Sequence, residues 1–124
     1  MVDQFYLNSF VEELIEDLID VSKEKKLLMR YMSKDTIRMV KKRIDYLKAA
    51  PNFQWCINNP IGNFESLIGN YQHKYSIRLD KNYRLIISPN ASEYSSEALG
   101  NCTEFFIEGV VDYHGNGKNN WLIP

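Results

Sequence analysis

The sequence predicts an α+β fold, with N-terminal helices packed on one face of a small antiparallel β-sheet. Three observations lead there. Apolar residues recur at helical spacing before Pro51, alternation takes over after Lys74, and the turn-forming run Asp80-Lys81-Asn82 lies between two alternating stretches. Helices followed by consecutive strands favour an antiparallel sheet with the helices segregated to one side. With 124 residues, 44% of them hydrophobic, the chain is read as one domain, 1–124, with a core of ordinary size.

Each element has its own signature. Met1 to Leu7 reads as a first strand. Ser9-Phe10-Val11-Glu12 fits a capping box, and the helix it opens carries Val11, Leu14, Ile15 and Leu18 on one face. Ser33 or Asp35 caps a second helix with the stripe Ile37, Val40, Ile44 and Leu47, which Pro51 ends. Residues 51–70, with their prolines, glycines and asparagines, read as a long connection pinned to the core by Trp55 and Phe64. Residues 74–89 then form a hairpin. A three-residue loop with Asn82 in the left-handed region puts Tyr75, Ile77, Leu79, Tyr83, Leu85 and Ile87 on one face. Ser76, Arg78, Arg84, Ile86 and Ser88 share the other, with Arg78 directly opposite Arg84. Like charges so opposed are destabilising unless carboxylates or a bound anion neutralise them. Asn90 to Gly100 reads as a polar loop. Glu104 to Tyr113 is the last strand, with Phe105, Ile107, Val111 and Tyr113 on its apolar face and Glu104, Glu108, Asp112 and then His114 on the other, unless a bulge at Gly109 shifts this phase. The tail after Gly115 is loose, with Trp121-Leu122-Ile123 apolar enough to dock.

Charge is segregated although the net charge is only −1. Residues 1–22 hold acids and no Lys or Arg, whereas residues 23–48 hold ten basic side chains. This asymmetry points either to a nucleic-acid contact or to a solvated lysine-rich helix face. No apolar run reaches the ~18–20 residues of a membrane span, and no basic-then-apolar opening is present. A cytoplasmic protein with no membrane partner is therefore expected, with Cys56 and Cys102 as free thiols. There is no metal-ligand spacing, phosphate-cradling glycine loop or nucleophile elbow, so neither metal nor cofactor is expected.

The strand pattern sets Arg78, Arg84, Asp112 and His114 on the face away from the helices. Phosphodiester cleavage needs cations where charge builds on phosphorus and groups that move protons to and from oxygen. Arginine and histidine supply these without a metal, and Lys74, His73 and Tyr113 stand close by in sequence. The same residues also admit a structural reading, with Arg84–Asp112 an ion pair and His114 a strand-end side chain.

The motif Y-x-I-x-L-D-x-x-Y-R-L-I-x-x-P (75–89), followed by V-D-Y-H-G (111–115), resembles the RelE/ParE toxin superfamily of type II toxin–antitoxin modules, and most closely its HigB-like plasmid-maintenance killer proteins. R-I-D-Y-L-K-A-A-P-N (43–52) and F-E-S-L-I-G-N (64–70) extend the likeness to roughly residues 27–115. The resemblance implies a RelE-like fold and a ribosome-dependent endoribonuclease that cuts mRNA by attack of its own 2′-hydroxyl. It further implies that Arg84 stabilises the phosphorane with help from Arg78, that His114 transfers protons, and that Tyr113 stacks on or orients a base. Asp112 would position its neighbours, and Lys74, with His73 beside it, would contact substrate. The implied partners are mRNA, the ribosome and a cognate antitoxin, a small helix-turn-helix protein. A ParE-like gyrase inhibitor and a catalytically degenerate, partner-binding member of the family are the alternatives.

Overall fold

Ser33 starts the principal helix. Its hydroxyl accepts a hydrogen bond from the Thr36 amide, satisfying one of the donors that a helix N-terminus leaves open, and α1 then runs Lys34–Ala49. Ile37, Val40, Ile44 and Leu47, the stripe expected from spacing, are all buried. The computed structural model describes residues 4–7, 11–12, 33–67, 73–112 and 120–121. Within these the chain continues through a short helix α2, Phe53–Asn58, and strands β2 (Glu65–Ser66), β3 (Tyr75–Arg78) and β4 (Tyr83–Pro89). A one-turn helix α3, Ser96–Gly100, precedes the long strand β5, Glu104–Asp112. Strands β1 (Gln4–Leu7) and β6 (Asn120–Trp121) lie at the two ends of the chain.

The fold is α+β, as expected, around a six-stranded sheet in the order β1-β5-β4-β3-β2, with β6 also on β5. Strands β2 to β5 are antiparallel throughout. Strand β1 pairs parallel with the first half of β5, Gln4 opposite Glu104, and β6 pairs antiparallel with its end, Val111 opposite Trp121. Parallel pairing needs a long crossover, which the ordering of elements provides. The α1 stripe, Phe53 and Phe64 pack with Ile77, Leu85, Ile87, Phe105, Ile107 and Val110 in one core. Phe53 stands edge-on to Phe105 and to Tyr75, each at 5.0 Å between ring centroids.

Two connections differ from expectation. The segment 51–70 is not irregular throughout. Asn52 caps α2 by accepting from the Trp55 amide, a capping signal masked by the surrounding prolines and asparagines. Phe53 rather than Trp55 is the core anchor, since Trp55 is 37% exposed and leans on Tyr46, while Phe64 is buried as foreseen. The loop 90–100 contains α3, capped by the Ser95 hydroxyl on the Ala98 amide. The first helix expected from Ser9 is represented by helical Val11 and Glu12, with Val11 buried; Leu14, Ile15 and Leu18 lie outside the described residues. Among the described residues no helix is long and apolar enough to cross a membrane.

Candidate functional site

The hairpin closes in the register that opposes Arg78 to Arg84. Its turn is built differently from the expectation, because Asn82 is absent from the residues with positive φ. Asp80 does the work instead: its Oδ1 accepts from the amides of Asn82 at 2.7 Å and Tyr83 at 2.8 Å, an Asx turn. Its other oxygen accepts from the Thr36 hydroxyl at 2.7 Å, tying the hairpin tip to the first turn of α1.

Leu85 faces the helix side, so alternation puts Arg84 on the opposite face with Ser76, Arg78, Ile86 and Ser88. That face is largely covered. Ser76 and Ile86 are buried, Val111 beside Arg84 is buried, and Arg84 itself is only 8% exposed. The expectation of two guanidiniums on the solvent side therefore holds for exposed Arg78 and not for Arg84. A third arginine touches the hairpin through its backbone. Arg43 of α1 donates from Nε to the Arg78 carbonyl at 3.1 Å and lies flat against Gly62, where an added Cβ would meet its Cζ at 2.7 Å. Gly62 has φ +56° and accepts from the Arg78 amide, so helix, loop and hairpin meet at this point. Partial burial lowers the Arg43 pKa.

Asp112 does not join this face. A bulge opposite Ile86 and Ile87 skips Glu108, and Gly109 adopts φ 151°, which an L side chain rarely takes. The phase of β5 changes there: Val110, not Val111, faces the core, and Asp112 pairs with Tyr83 on the row opposite to that of Arg84. Burial and then the Asp112 and Asp80 charges raise the Tyr83 pKa, in keeping with that neighbourhood. Tyr113 and His114 lie outside the described residues.

Lys74 and His73 meet at a groove about 360 Å³ in volume, together with Ser88, Asn90, Tyr94, Phe106 and Glu108. Lys74 forms an ion pair with Glu108, the residue that the bulge leaves over. Burial pushes the Lys74 pKa down, while the adjacent carboxylate favours its charged form. The His73 ring stacks on Tyr94, 3.7 Å between centroids and 8° from parallel, and His73 holds a positive φ of 70°. Phe106 stacks on Tyr6, whose hydroxyl donates to Glu104 and whose pKa that bond raises.

Arg43, Tyr94 and the grouping of Glu108 with Lys74 escaped sequence reasoning, because each depends on contacts between distant segments. Phe106 left a usable signal: adjacent aromatics in a strand must point to opposite faces, so one of Phe105 and Phe106 had to leave the core. Among the described residues no group of three or more His, Cys, Asp or Glu side chains is placed to hold a metal ion. No family model matches the chain, and no curated protein matches it.

Proposed function

We propose that this chain is the toxin of a type II toxin–antitoxin module, a RelE/ParE-superfamily member of HigB-like type with a RelE-like fold, acting as a ribosome-dependent endoribonuclease in the cytoplasm. The observation that carries the reading is the cross-strand pair Arg78–Arg84 on the face away from α1, in a Tyr83-Arg84-Leu85-Ile86 strand next to the strand that leads into Asp112-Tyr113-His114. A direct pair of like charges is costly in a sheet unless a carboxylate or a bound anion offsets it, and in this reading the RNA phosphate is such an anion.

In this reading the 2′-oxygen of the message attacks the neighbouring phosphorus and the bond to the 5′-oxygen breaks. His114 carries the proton between them. Arg84 faces the charge that builds on the phosphorane from a buried position, where low polarity strengthens its field, and Arg78 assists from the surface. Tyr113 orients a base, Asp112 acts on its strand neighbours, and Lys74 and His73 hold flanking RNA. A helix-turn-helix antitoxin holds the protein inactive. Induced expression of the chain alone should arrest growth, and Arg78→Ala or His114→Ala should relieve the arrest; undiminished arrest by both variants removes these roles.

A second reading keeps the family and drops the cleavage, as a gyrase-binding or purely partner-binding member. The burial of Arg84 and the neutralisation of Lys74 by Glu108 favour it, since both reduce the cationic surface available to RNA. Loss of DNA supercoiling with intact mRNA identifies the gyrase form, and absence of any arrest identifies the partner-binding form.

A further inference from the structure

The groove between the start of β3 and the loop after β4 is built differently from the arginine pair and lies away from it. Ser88, on its floor, is four residues along β4 from Arg84, or about 13 Å of strand. One wall is the His73–Tyr94 stack, the floor includes the Phe106 ring, and the polar groups are Lys74, Glu108, Ser88 and Asn90. His73 adopts its left-handed backbone conformation here, a strain of the kind that clusters at ligand sites.

We propose that this groove takes one unpaired nucleotide of single-stranded RNA, with its base stacked on the His73–Tyr94 wall or over Phe106. Stacking on exposed aromatic rings is how proteins hold unpaired bases, because every base has a π-face. The paired Lys74 and Glu108 set a donor beside an acceptor, which matches the alternating hydrogen-bonding edge of a base. The ligand's being RNA rests on the function proposed above. Tyr94, Phe106 and Glu108 are then binding residues additional to the strand motif.

Binding of a short fluorescent oligoribonucleotide to the full chain, followed by anisotropy, tests this apart from any cleavage. Tyr94 is 42% exposed, so its replacement leaves the core intact. Tyr94→Ala should weaken binding roughly tenfold, and Tyr94→Phe should restore it. Equal affinity of Tyr94→Ala and wild type, or no binding by the wild-type chain, overturns the proposal. Competition by a free mononucleotide as strong as by the oligomer would overturn RNA as the source of the base. A chain that binds RNA through Tyr94 yet causes no arrest keeps the groove and sinks only the nuclease reading.

Discussion

The Asp80 carboxylate accepts three hydrogen bonds from two parts of the fold. One carboxylate oxygen holds two amides of the hairpin turn, and the other holds Thr36 at the start of α1. Hydrogen bonds to a charged acceptor contribute about 1.5–3 kcal/mol each, and those at a wet turn fall toward the lower figure or below. Asp80→Ala is therefore expected to lower the unfolding free energy by roughly 2–3 kcal/mol in urea titrations. Thr36→Val, which loses the hydroxyl's bonds to Asp80 and Ser33 and leaves the turn intact, should cost about 1 kcal/mol. If Asp80→Ala is no worse than Thr36→Val, the turn is held by something other than its carboxylate. Gly109 makes a complementary case. Its φ of 151° suits glycine alone, so Gly109→Ala should destabilise by roughly 1–3 kcal/mol, and by less if the bulge is dispensable.

At the level of elements, the parts with strong periodicity were readable and those fixed by a single residue were not. The α1 stripe and its Ser33 cap follow from spacing and local hydrogen bonding, and the hairpin register follows from the need to bury one face. The bulge was visible as a glycine, but its effect on phase depends on pairing with β4, so Asp112 was put on the wrong row. Helices α2 and α3 are too short for periodicity and exist through their caps, Asn52 and Ser95. Helix α2 also carries Cys56, whose thiol burial pushes up to about 12. The folded chain thus binds this proton more tightly than the unfolded chain does. The associated stability is fully present below pH 9 and is lost as pH climbs toward 12. Thermal unfolding followed from pH 8 to 11 should show a steeper alkaline decline for wild type than for Cys56→Ala. Parallel curves would mean the thiol ionises freely in the native state.

For the whole molecule, the sheet has two unlike faces. One packs on α1 and α2 around Phe53; the other carries the opposed arginines at one end and the aromatic groove at the other. Arg43, Gly62 and Arg78 lock helix, loop and hairpin together, so the backbone that carries the exposed Arg78 side chain is held by contacts from three elements. Arg78 is also the informative position for mutation. It is exposed, so its removal tests chemistry with little effect on stability, whereas Arg84→Ala also opens a buried space. The most direct measurement is primer extension on a message translated in a reconstituted system with the purified full chain. The account predicts cuts that need translating ribosomes and fall at least tenfold with Arg78→Ala and with His114→Ala. An uncut message with the wild-type chain, or cuts that both variants leave unchanged, would contradict it.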